Sequence, residues 1–134
     1  MHPVWQDAPI EAGGDMDGFT IRHDDELERE YGKWVLVRRS LGIGAFGVNA
    51  VELPPGESIP EHDETERDHE ELFLVLDGSA TMVVDGVEHP LRKGSYARLD
   101  PSPKRTVRND GDVVARVLIV SAPVGSGYEP LEWA

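Results

Sequence analysis

The chain has 134 residues, with 26 Asp plus Glu against 13 Lys plus Arg, a formal net charge of -13 and no cysteine. That length holds one domain around one core. The negative balance repels phosphate backbones and argues against nucleic acid, and the missing thiols exclude disulfide and cysteine chemistry and fit a reducing cytoplasm.

Residues 1–30 read as an acidic, turn-rich arm, with a short strand expected at Phe19–Arg22. Trp5 implies that the arm docks, because an exposed tryptophan on a free tail gains little. The same stretch holds nine acids and no apolar h-region, so it does not read as a signal peptide. No apolar run approaches the roughly 20 residues that span a bilayer. The expectation is a cytoplasmic protein without membrane partners.

Residues 31–134 read as a β domain. Fourteen glycines and ten prolines punctuate runs rich in β-branched and aromatic residues. The runs are 34–39, 46–53, 72–76, 80–84, 95–99, 106–109 and 113–121. Asp85-Gly86 joins two of the short runs and predicts a type I′ hairpin. Residues 109–112 predict a second hairpin turn. Regular strand and turn spacing of this kind predicts a sandwich or barrel.

The run 72–76 is apolar at every position, whereas a strand with one wet face alternates. One face fills a core. The other needs a cover, which the arm or a second copy supplies, and a homodimer is the favoured assembly.

Two spaced signatures lie between Gly56 and Asn109. The first carries Gly56, His62, Glu64, His69, Glu71 and Gly78; the second carries Gly94, Asp100, Ser102, Arg105 and Asn109. His62 and Glu64 stand at i and i+2, as do His69 and Glu71, so each pair points to one side of an extended chain. This layout resembles the cupin superfamily over roughly residues 35–121. The resemblance implies an all-β double-stranded β-helix, or jelly-roll barrel, with a ligand cavity at one mouth. In the family pattern two histidines, a glutamate and a third histidine hold Fe, Mn, Ni or Zn. Here Glu64 replaces the second histidine, the gap before Glu71 is longer, and Arg105 replaces the third.

A guanidinium is permanently cationic and has no lone pair to give a metal. Three readings therefore stand open. A divalent metal persists on His62, Glu64, Glu71 and His69. Or the cavity is metal-free and binds a small anionic or polar molecule, with Arg105 holding charge, His62 hydrogen bonding, Glu71 orienting Arg105, and Phe73 and Tyr96 lining the wall. Or the charges satisfy one another as a structural network. The metal-free binding protein is preferred. A metal-dependent enzyme of dioxygenase or isomerase type, and a non-catalytic dimeric or regulatory subunit, are the alternatives. Asn109 is expected to cap a turn, and His2, His23 and His89 to lie at the surface. Gly42, Gly44 and Gly47 fit a dinucleotide fingerprint only formally, since residues 48–51 read as strand where that site needs a helix.

Overall fold

A computed structural model describes residues 18–134. Trp5 and His2 lie outside that span. Among the described residues nine strands form two antiparallel sheets: β1 (Arg29–Glu30), β2 (Trp34–Val35), β3 (Gly47–Leu53), β4 (His69–Asp77), β5 (Ser79–Val84), β6 (Val87–Arg92), β7 (Tyr96–Leu99), β8 (Arg105–Arg108) and β9 (Ala115–Pro123). The larger sheet has the order β1-β2-β3-β9-β4-β7, and the smaller β6-β5-β8. The two face each other as a double-stranded β-helix, as the spacing predicts.

Alternation along the strands explains the core. Val51 and Leu53 of β3, Phe73 and Val75 of β4, Met82 of β5, Val107 of β8 and Val117 of β9 all point inward and are buried. Phe73 is fully buried, and truncating such a ring to alanine costs about 3–5 kcal/mol. The Asp85-Gly86 turn is a two-residue hairpin: Val84 pairs with Val87, and φ is 47° at Asp85 and 81° at Gly86. Both values suit the predicted type I′ turn.

Three local expectations are corrected. No strand forms at Phe19–Arg22; that segment leads into a 3-10 turn at Asp24–Glu26. The run 34–39 stops being a strand after Val35 and becomes a short helix, α1 (Val37–Leu41). Gly42 closes α1 with a left-handed φ of 75°, and the buried Ser40 hydroxyl accepts the Glu28 N–H at 3.1 Å. A glycine stop and one tertiary hydrogen bond outweigh the weak strand preference of this segment.

The turn at 109–112 does not make a hairpin, because β8 pairs with β5 while β9 pairs with β3 and β4. Buried Asn109 governs it. Its amide donates to the Leu53 and Val113 carbonyls, and its side-chain oxygen accepts the Gly111 N–H at 2.8 Å. It caps a turn, as expected, but one that carries the chain from one sheet to the other.

The outer face of the large sheet bears two apolar rows. Val48, Val120, Leu72 and Arg98 align across β3, β9, β4 and β7, and beside them Ala50, Leu118, Leu74 and Tyr96. Val48 and Ala50 are buried, and α1 packs against their strand. Leu72 is 36 % exposed, Leu76 38 % and Tyr96 71 %. Among the described residues no helix is long and apolar enough to cross a membrane.

Candidate functional site

The site is built where the loop before β4 meets the start of β8. His62 and Arg105 exchange backbone hydrogen bonds, His62 N–H to Arg105 O at 3.0 Å and Arg105 N–H to His62 O at 2.8 Å. Glu64 is held by its N–H to the Pro101 carbonyl at 2.9 Å. Residues 65–68 then turn back, with the Asp63 carboxylate accepting the Thr65 N–H and hydroxyl. That turn returns the chain to begin β4 at His69, whose N–H reaches Glu64 O at 3.2 Å. Glu71 comes two residues later on the inner face of β4.

One atom each from His62, Glu64 and Glu71 lie within 4.8 Å of one another. His62 Nε2 is 3.2 Å from Glu64 Oε2 and 3.7 Å from Glu71 Oε1. His69 Nδ1 stands behind Glu64, 3.7 Å from Oε1, and is not part of the threefold cluster. The longer loop brings His69 close, though only to the back of Glu64.

The orientation of His62 is fixed. Its Nδ1 lies 2.9 Å from the Pro60 carbonyl, which can only accept, so Nδ1 carries the hydrogen. A neutral ring then turns only a lone pair at Nε2 toward two carboxylates. Such an arrangement calls for a proton, a donor or a cation between them.

Arg105 is wholly buried. Nη1 donates to the Pro101 and Pro103 carbonyls at 3.2 and 2.5 Å, and Nη2 donates to Asp100 O at 2.7 Å. Nε is 3.1 Å from Glu71 Oε1, an ion pair without hydrogen-bond alignment, and neither atom makes a hydrogen bond. Arg105 forms no bidentate fork with a carboxylate, because three carbonyls hold the outer nitrogens. For the same reason Arg105 is not an anchor for an anion in the cavity. It is a buried counter-charge behind Glu71.

Burial is the main reason the Glu71 carboxyl rises above its ordinary value, and the neighbouring Glu64 charge pushes the same way; Arg105, His62 and His69 oppose it.

A cavity of about 160 Å³ opens in front of this cluster, bordered by Trp34, Asn49, Ile59, His62, Glu71 and Ser121 among others. The structure separates the two aromatic candidates from it. Phe73 belongs to the core one step below Glu71, and Tyr96 projects from the outer face. Sequence reasoning missed Trp34, Asn49 and Ser121. A signal for Asn49 existed: counting by twos back from Val51 puts it on the inner face. A wider groove of about 530 Å³ along Leu72, Arg98 and Tyr128 also reaches Glu71, but it does not touch His62; the smaller space borders both His62 and Glu71, so the chemistry belongs there.

The donor set of one imidazole nitrogen and two carboxylates, with Glu71 Oε1 buried and without a hydrogen bond, fits a divalent ion such as Fe, Mn, Ni or Zn.

Known proteins share this architecture. A family profile described as "Cupin domain" matches residues 49–121. A cupin protein from Bacteroides fragilis is similar in structure, with a TM-score of 0.68 at 22 % identity, covering 84 % of this chain and 94 % of that one. A structure titled sugar phosphate isomerase from a cupin superfamily, from Silicibacter pomeroyi, aligns with a TM-score of 0.60 at 25 % identity over 68 % of this chain and 59 % of that one. Protein SchB of Streptomyces halstedii is 36 % identical over 81 residues, 60 % of this chain. The aligned stretch spans 56 % of the length of that curated relative.

Proposed function

The chain belongs to the cupin superfamily, and from that premise we propose that its barrel cavity binds a small polar molecule through His62, Glu64 and Glu71. One observation carries the reading: His62 Nε2 faces two carboxylates with its other nitrogen already committed to Pro60. A ligand hydroxyl or amine entering there donates to acceptors that otherwise face one another. Two carboxylates at the mouth repel an anion, so the preferred ligand is neutral or cationic. That narrows the wider expectation of an anionic or polar molecule.

Differential scanning with small diols, amines and carboxylates tests this. Diols or amines should raise the melting temperature, carboxylates should not, and His62→Ala should abolish the shift. Stabilisation by carboxylates alone sinks the reading.

A second reading is favoured by the three donor atoms within 4.8 Å. In it His62, Glu64 and Glu71 would hold a divalent ion, which would supply Lewis acidity. Glu64 would be steadied by His69, and Arg105 would balance the acid behind the ion. Elemental analysis of protein purified without a chelating column decides between the two: stoichiometric Fe, Mn, Ni or Zn, lost in His62→Ala, selects the metal.

We further propose that a second copy covers the outer face of β4 and β7. The rim there is nearly balanced, unlike the chain as a whole: Arg98 pairs with Glu70 and Asp100, and Lys93 with Asp77. Two such faces meet across a two-fold axis without unpaired charge. Light scattering should report a dimer that Leu72→Asp dissociates with little loss of monomer stability. A monomeric wild type overturns the assembly.

A further inference from the structure

The cavity wall beside Glu71 contains polar groups that the fold does not use. On the inner face Gly47, Ser121 and Glu71 align in one row across β3, β9 and β4, and Asn49, Ile119 and Phe73 in the next. Among the described residues, neither the Asn49 amide nor the Ser121 hydroxyl has a hydrogen-bond partner. Both are half-buried and both border the cavity. An amide offers two donors and an acceptor, and a hydroxyl one donor and two lone pairs, so this wall can both give and receive hydrogen bonds.

Gly47 controls the space beside them. A Cβ at that position would lie 2.6 Å from Ser121 Oγ, closer than side-chain atoms tolerate. Glycine therefore leaves the serine hydroxyl its place in the wall. Trp34, Ile59 and Ile119 make the remaining wall apolar. The volume of about 160 Å³ corresponds to roughly five waters at a liquid share near 30 Å³ each.

We propose that Asn49 and Ser121 form a second recognition wall beside Glu71, and that the cavity takes a compact neutral polyol with a carbon edge against Trp34. The hydroxyls meeting Glu71 and His62 donate, while those meeting Asn49 and Ser121 both donate and accept. Gly47 sets the size limit. This inference rests on the reading that the cavity binds a polar molecule.

The test titrates glycerol, and propionate as a similar-sized anion, into the full chain while following backbone amides by NMR. Glycerol should shift amides of β3 and β9, and propionate should not. Asn49→Ala and Ser121→Ala should each weaken glycerol roughly fivefold, the loss of about one hydrogen bond. Gly47→Ala should weaken it further, and Gly47→Ala combined with Ser121→Ala should return to the single Ser121→Ala value once the clash is gone. If Asn49→Ala and Ser121→Ala bind as wild type while His62→Ala does not, the second wall is wrong and the proposed function stands. If Gly47→Ala binds as wild type, its size role is wrong. Stronger binding of propionate overturns the neutral class. No cavity shift with either probe overturns this inference and leaves the diol and amine melting screen to judge the reading beneath it.

Discussion

Two clusters of arginine and carboxylate in this molecule use the same ingredients and reach opposite results. On the outer surface, Asp24, Arg29, Glu52 and Arg116 tie the segment before β1 to β3 and β9. Hydrogen bonds from Arg116, helped by Arg29, hold the Asp24 carboxyl down at about 2. At the barrel mouth, Arg105 also lies beside an acid, yet burial raises Glu71. The difference lies in where the N–H groups aim. Arg116 and Arg29 direct theirs at Asp24, whereas Arg105 commits its outer nitrogens to the carbonyls of Asp100, Pro101 and Pro103. An arginine nearby does not make an acid comfortable; aligned hydrogen bonds and water do. The mouth cluster is therefore the one left with unmet acceptors, and it is where a ligand gains most.

Arg105→Met puts the greatest strain on this contrast. Removing a wholly buried cation strands Glu71 and three carbonyls, and stability measured by urea unfolding should fall by about 3–5 kcal/mol. A loss below about 1 kcal/mol would mean that Arg105 is dispensable packing.

The pH dependence of stability separates the two clusters further. Glu71 is raised in the folded state, so its ionisation opposes folding: its contribution is fully present below the ordinary glutamate value of 4.5 and is lost as pH rises through the folded value. Glu71→Gln should flatten the decline of stability over that window, measured by denaturant midpoints. An unchanged slope would show that water reaches the carboxylate freely.

Asp24 has the reverse sign. Its contribution is present above its ordinary value of 3.8 and is lost as pH falls through about 2. Its side chain is 41 % exposed, so screening limits the effect, and Asp24→Asn should cost about 1 kcal/mol or less. A larger cost would put the surface network on a par with the buried one.

Much of the barrel is legible in the chain because alternation and turn chemistry are local. Asp85-Gly86 names its own hairpin, and residues 72–76 announce a strand buried on one side and sticky on the other. The turn at Asn109 is legible only as a turn, since its partner Leu53 is 56 residues away. The site is half legible. The i, i+2 spacing brings His62 and Glu64 together correctly, while Phe73 and Tyr96 look equally suited to a cavity. They lie on opposite faces of neighbouring strands, and only the register tells which.

Strand periods, spaced glycines and the exchange of a ligand for a guanidinium could all be read along the chain, because they depend on residue identity and short separations. What that guanidinium does was settled in three dimensions. Three carbonyls converging on Arg105 from residues 100–103 turn it away from the cavity, and no linear pattern encodes the direction in which a buried side chain finds its hydrogen bonds.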